Sequence, residues 1–133
     1  MISEADVIVI FDTDILIGYE RKNLKAADLI DGADDRYISV QTYMEFLQGA
    51  DSGTQLLTVK DFMARLDFHI LPFTENIGHR ACIYIEEYAL SAGMRPTDAI
   101  IAATAVENNL TLVSGNHKHF KPIRELKLKP FSP

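Results

Sequence analysis

Cysteine occurs once, at Cys82, and tryptophan not at all among the 133 residues. A lone thiol cannot close an internal disulfide, and no paired Cys/His spacing for zinc is present, so a reducing, cytoplasmic setting is expected. Long apolar runs near the amino terminus are missing too. Val7 to Phe11 is five residues long, against about 20 for a bilayer span, so no membrane role is expected. The stretch before it, Met1-Ile2-Ser3-Glu4-Ala5-Asp6, is acidic where a secretory signal is basic, which reads against export. Positive charge is scarce: 13 Lys and Arg face 19 Asp and Glu, a net −6. That balance excludes a surface that binds duplex nucleic acid as a whole.

The deficit is uneven. Residues 116–129 carry Lys118, Lys121, Arg124, Lys127 and Lys129 against Glu125 alone, leaving eight cations against eighteen acids elsewhere. This basic stretch reads either as a solvated carboxy-terminal tail or as a phosphate-facing surface. With 47% apolar residues, the chain is expected to form one globular domain over residues 1–133. At this size a chain buries roughly two thirds of its extended surface, without disulfides or a structural metal.

Val7-Ile8-Val9-Ile10-Phe11 is β-branched and aromatic throughout, the pattern of a strand buried on both faces. Tyr37 to Val40, Phe68 to Leu71 and Leu110 to Val113 share that character. Between them lie helical patterns. Val40, Tyr43, Met44 and Leu47 follow i, i+3, i+4, i+7 spacing up to Gly49, predicting an amphipathic helix with those four on its buried stripe. Thr54 to Leu66 and Glu75 to Leu90 read as helices, with Gly93 as the stop of the second. Pro96 suits a first helical position, and Ala99 to Val106 carries no charge, so that helix is expected to be buried. Strands alternating with helices predict right-handed crossovers and a parallel α/β sheet sandwiched between helices.

In such sheets the ligand crevice lies at the carboxyl ends of the strands. Asp12 and Asp14 directly follow the first strand, Glu45 sits on the helix after the second, Asp98 opens the buried helix, and Asn116 follows the fourth strand. Two carboxylates about 4 Å apart repel by roughly 4 kcal/mol at an effective dielectric near 20. A cluster therefore needs protonation, a cation or a divalent metal, and hard oxygen donors suit Mg2+ or Mn2+. Each residue also has a purely structural reading. Asp12 or Asp14 can cap a helix or form an Asx turn, and Asp98 can complement a helix dipole. Glu45 points about 150° from its helix's apolar stripe and reads by periodicity as solvated. Phe46 lies about 110° from that stripe and reads as an interface residue. His117 and His119 read as surface residues of a polar loop, facing solvent or phosphate.

These segments resemble the PIN-domain nucleases, in particular the VapC-like toxins. Val9-Ile10-Phe11-Asp12-Thr13-Asp14 resembles the opening strand-D-T motif, and Gln41 to Gly49 the helix with a single glutamate. Pro96-Thr97-Asp98-Ala99-Ile100-Ile101-Ala102-Ala103-Thr104-Ala105 resembles the D-A-x-I-A-A-T-A helix, and Leu112 to Phe120 the closing loop. The resemblance implies a PIN-like three-layer sandwich. It implies Mg2+- or Mn2+-dependent endoribonuclease cleavage, leaving 5′-phosphate and 3′-hydroxyl ends. It makes Asp12, Glu45 and Asp98 the metal-binding catalytic acids, with Asn116 at the fourth position and Asp14 as a further ligand candidate. Lys118, His119 and Lys121 become RNA-contact candidates. A homodimer and a small antitoxin partner covering the active groove are implied as well. Asp14 stands where many members have Asn or Ser, and Asn116 where others have Asp. A PIN scaffold that binds RNA or a protein without cutting is one alternative. A haloacid-dehalogenase-type phosphatase, with Asp12 as nucleophile and Asp14 as acid/base, is another.

Overall fold

The computed structural model describes residues 8–133. Five parallel strands form one sheet in the order β3-β2-β1-β4-β5. They are β1 (Val9–Phe11), β2 (Arg36–Ser39), β3 (Phe68–Leu71), β4 (Thr111–Ser114) and β5 (Lys127–Pro130). Helices α1 (Thr13–Glu20), α2 (Leu24–Asp31), α3 (Val40–Gln48) and α4 (Gly53–Arg65) precede β3, and α5 (Glu75–Ala92) and α6 (Pro96–Glu107) follow it. The short α7 (His117–Phe120) lies between β4 and β5.

Alternation along the central strands divides the core in two. Ile10 and Leu112 face α5 and α6, packing with Ile77, Ala81, Tyr84 and the buried alanines of α6. Phe11 and Val113 face the other way, onto Ile15, Leu16, Phe46, Phe62 and Phe68. The sheet is thus covered by helices on both faces, as the alternating pattern predicts. Pro96 does open α6, and Gly93 ends α5 with φ +68°, a left-handed conformation that costs glycine little. Arg36 fastens one end of the sheet, donating to the carbonyls of Ile30, Asp31 and Leu66, at the ends of α2 and α4, where helical carbonyls run out of backbone donors.

Several expectations change. β1 begins at Val9, Ile8 is exposed, and Val7 and the acidic residues before it lie outside the described residues. β3 is an edge strand whose His69 and Ile70 are exposed, because a strand with one neighbour lacks cover on its outer side. Helices α1 and α2 and strand β5 are additional to the sequence reading. The basic stretch is no tail: it folds into α7 and β5, and β5 pairs with β4. Lys127 and Lys129 are exposed on that edge strand, where lysine discourages further strand pairing.

The face of α3 is also revised. Thr42 and Phe46 are its buried residues, whereas Met44 is 52% exposed. The helix is wedged among α1, α4, α6 and the sheet, so its contacts extend around the helix and a single stripe underestimates them. Phe46 packs edge-on against Phe62, with ring centroids 5.9 Å apart. It is packed in the core and only its edge reaches the surface.

Candidate functional site

Strand order reverses at β1: the chain runs outward to β2 and β3 on one side and returns to β4 on the other. Crevices in open parallel sheets form at such a reversal, beyond the carboxyl ends of the strands. Asp12 stands there. Its backbone N–H donates to Val113 O at 3.0 Å, so the turn out of β1 is tied to β4. Its side chain accepts from Thr13 N at 2.7 Å through Oδ1 and from Ser114 Oγ at 2.7 Å through Oδ2. Asp12 is thus the N-cap of α1, and the capping reading holds alongside any chemical one.

The carboxyl is buried, and burial together with the charges of Asp14 and Asp98 pushes its pKa up to about 7 despite the two hydrogen bonds. A carboxylate desolvated beside like charges lacks positive charge.

Asp14 performs a visible structural task. Its Oδ2 accepts from Gly115 N at 2.8 Å, holding the turn after β4. A Cβ at position 115 would stand 2.8 Å from that oxygen and 3.2 Å from Phe131 O, which explains the glycine. Burial raises Asp14's pKa, and among the described residues its buried Oδ1 has no hydrogen-bond partner, and neither has His117 Nε2.

Glu45 is half-buried, not freely solvated as periodicity suggests. Thr13 Oγ1 lies 3.2 Å from both Glu45 Oε1 and Thr42 Oγ1, and Ser39 Oγ lies 3.2 Å from Thr42 Oγ1. A carboxylate can only accept. The Thr13 proton therefore goes to Glu45, Thr42 donates to Thr13, and Ser39 donates to Thr42. Thr13, Thr42 and Ser114 lie inside the motif segments, and position is the one signal that marks them: each is next to or three residues from a candidate carboxylate, or at a strand end.

Asp98 lies in the first turn of α6 and accepts from Arg95 N at 3.3 Å, so its helix-terminal reading also holds. His119 Nδ1 lies 2.8 Å from Asp98 Oδ2 and 3.0 Å from Asn116 Nδ2. Asn116 N donates to Ser114 Oγ at 3.0 Å, linking the fourth position to Asp12 through one hydroxyl. His117 and His119 belong to α7, held down by fully buried Phe120, so the polar-loop reading of this segment is replaced. Lys118 and Lys121 remain exposed at its edge.

The donor set is right in kind for a hard divalent cation: oxygen donors, no cysteine, and a buried carboxylate short of positive charge. Its geometry is not a closed cage. Among the described residues no three His, Cys, Asp or Glu side chains are already grouped as metal ligands. Beside Glu45 opens a cleft of about 560 Å³ between α1, α3 and α4, with Phe46, Val59 and Phe62 on its apolar part and Arg21, Lys22 and Arg65 among its polar lining. No described helix is long and apolar enough to cross a membrane.

An open parallel sheet covered on both faces, with acids gathered at its strand-order reversal, defines the α/β class to which comparison assigns a family. The sequence matches the PIN domain over residues 9–126, and the chain belongs to the PIN domain family. A chain of a toxin–antitoxin complex from Klebsiella pneumoniae is 28% identical, with a TM-score of 0.78, covering 94% of this chain and 99% of its own. The VapBC2 complex of Rickettsia felis, bound to a promoter DNA fragment, includes a chain with 24% identity and a TM-score of 0.76, covering 95% and 100%. The DNA-bound VapBC of Salmonella typhimurium gives 18%, 0.77, 93% and 98%. The last two show likeness of fold. No match is found among curated proteins. The VapC-like resemblance read from the sequence agrees with these neighbours. The phosphatase alternative falls with the family match; the only acid after β4, Glu125, is engaged by Arg80 and Tyr84.

Proposed function

We propose that this protein is a metal-dependent endoribonuclease acting in the cytoplasm as the toxin of a toxin–antitoxin pair. The observation that carries the reading is Asp12. It is a buried carboxyl at the strand-order reversal, raised to about 7 by burial and by the negative charge of Asp14 and Asp98. Asp12, Asp98 and Glu45 would hold Mg2+ or Mn2+, with Oδ1 of Asp14, without a hydrogen-bond partner among the described residues, as a further candidate and Asn116 beside them. These side chains are not already grouped as ligands among the described residues, and since Mg2+ keeps several waters, one or two of the carboxylates suffice to hold it. A divalent cation held there would supply positive charge to the scissile phosphodiester and lower the pKa of a bound water.

The chain's own residues supply position. Ser114 and Thr13 N fix both oxygens of Asp12, and Thr13 Oγ1 fixes Glu45. Exposed Lys118 and Lys121 offer phosphate contacts, which makes RNA binding salt-dependent. The cleft beside Glu45 is the proposed seat of an antitoxin segment. Homodimerisation is assigned to α5, where Ile83 and Leu90, seven residues apart and so on one face, are exposed.

The test is cleavage of a mixed single-stranded RNA panel with Mg2+, Mn2+ or EDTA, followed by chemical identification of the new ends. Metal-dependent 5′-phosphate ends, lost in Asp12→Asn, support the reading. Equal cleavage by wild type and Asp12→Asn overturns it. The absence of a preformed ligand group and the asparagine at position 116 favour one second reading, an RNA-binding scaffold; RNA binding without turnover in any metal selects it.

A further inference from the structure

The sequence alone makes His119 an RNA-contact candidate; the structure turns it inward. Its side chain is 24% exposed and that of Asp98 14%. A single ring nitrogen, Nδ1, meets both Asp98 Oδ2 at 2.8 Å and the Asn116 side-chain amide nitrogen at 3.0 Å. These two partners make opposite demands. An ionised carboxylate only accepts, so it needs N–H at Nδ1, whereas an NH2 group needs a lone pair there. The nitrogen cannot offer both. The charged partner at the shorter distance prevails, because hydrogen bonds to ionised groups are roughly twice as strong as neutral ones. Asn116 must then turn its amide, whose oxygen and nitrogen ends have the same shape, so that oxygen faces the imidazole and NH2 faces away. On Asp98, His119 and Arg95 N both engage Oδ2, and Oδ1 is left for another partner.

We propose that His119 is a positioning residue of the acidic site. Donating from Nδ1, it holds Asp98 with Oδ1 presented. It also leaves Asn116 as a hydrogen-bond donor, suited to a phosphate oxygen of RNA and not to a cation. What Oδ1 and Asn116 meet rests on the nuclease reading above; which ring nitrogen carries the hydrogen does not.

Two measurements separate these parts. Long-range 1H–15N correlation of the four histidine rings in the metal-free chain, with His119 identified by its loss in His119→Asn, reports the protonated nitrogen. Hydrogen at Nδ1 is expected in the wild type and in Asn116→Ala, and relaxation toward Nε2–H in Asp98→Ala. A wild-type ring carrying hydrogen at Nε2 alone overturns the proposal. The second measurement is Mn2+ affinity by electron paramagnetic resonance, with melting in EDTA as the control for folding. His119→Ala is expected to weaken binding about 10- to 100-fold, the usual effect of losing a group that orients a metal ligand. His119→Asn, which keeps an N–H at the δ position, recovers most of it. Asn116→Ala keeps the wild-type Mn2+ affinity but raises KM for a short RNA more than it lowers kcat. Wild-type Mn2+ affinity in His119→Ala, or reduced affinity in Asn116→Ala, overturns the proposal while leaving the nuclease reading intact. Absence of Mn2+ binding by the wild type overturns the nuclease reading, and the ring measurement then decides the His119–Asp98 contact by itself.

Discussion

Ser114 Oγ donates to Asp12 Oδ2 at 2.7 Å, joining two residues 102 positions apart. The bond spans the two central strands where the chain's direction of travel across the sheet reverses, and Ser114 Oγ also accepts from Asn116 N. One hydroxyl therefore couples the end of β1 to the turn after β4. Hydrogen bonding favours the charged form of Asp12 but does not overcome its burial and the neighbouring acids.

Asp12 makes stability depend on pH. Unfolded, the carboxyl loses its proton near 3.8; folded and metal-free, it does so near 7. Between those values the folded chain holds the extra proton, so this group's contribution falls as pH rises. A rise from 3.8 to about 7 is worth on the order of 4 kcal/mol. Urea unfolding in EDTA should show Asp12→Asn gaining on wild type from pH 4 to pH 7. A difference that stays flat across this range contradicts the buried, charge-starved carboxyl.

Metal should reverse that penalty. A ligand that binds only the folded state stabilises it by about 2.7 kcal/mol at a hundredfold excess over Kd. Melting of the wild type is expected to rise with Mn2+ and to be restored to its starting value by EDTA, with protons released on binding. The Asp12→Asn/Asp98→Asn double variant should not respond. An equal rise in both chains would place any binding elsewhere.

Asp98→Asn separates chemistry from capping. Asparagine retains an oxygen for Arg95 N, so the stability cost should stay at or below about 1 kcal/mol, the scale of a lost dipole interaction. RNA cleavage should fall by two or more orders of magnitude, each tenfold being about 1.4 kcal/mol of barrier. Paired turnover and unfolding measurements test this, and retained cleavage with a small stability loss would leave Asp98 as a helix-terminal residue only.

Phe46→Ala should act on folding. Phe46 is 6% exposed and packs on Phe62, which in turn contacts Phe68 and Tyr19. Truncating such a side chain costs about 3–5 kcal/mol. Chemical denaturation measures the loss; a variant of normal stability with altered association alone would return Phe46 to an interface role.

Ile83→Glu/Leu90→Glu tests α5 as the dimer face. Both residues are exposed in the single chain, so the double variant should keep its fold by circular dichroism while sedimentation shifts toward monomer. An unchanged association state removes this face from consideration.

Much of the architecture is local and therefore legible. Ile10 and Phe11 announce a buried strand, Pro96 and the alanines after it a buried helix, and Gly93 a helix end, because each depends on neighbouring residues and on backbone preference. Asp12, Asp98 and Asn116 could be picked out for the same reason, since they follow strands or open a helix; Glu45, in the middle of α3, is marked by the order of segments that resembles a known family. Periodicity failed at α3, where a helix wedged among several elements buries Phe46 and Thr42 while exposing Met44. β5 escapes the sequence reading although Leu126-Lys127-Leu128-Lys129 alternates, because the run is short, half lysine and stopped by Pro130, and pairing with β4 is what holds it as a strand. Only tertiary structure decided that Ser114 grips Asp12, that Thr13 grips Glu45, and that His119 faces Asp98. These bonds join residues 102, 32 and 21 positions apart. Hydrogen bonds are directional and short-ranged, so their partners are determined when the strands and helices are packed in three dimensions, not by the spacing of residues along the chain.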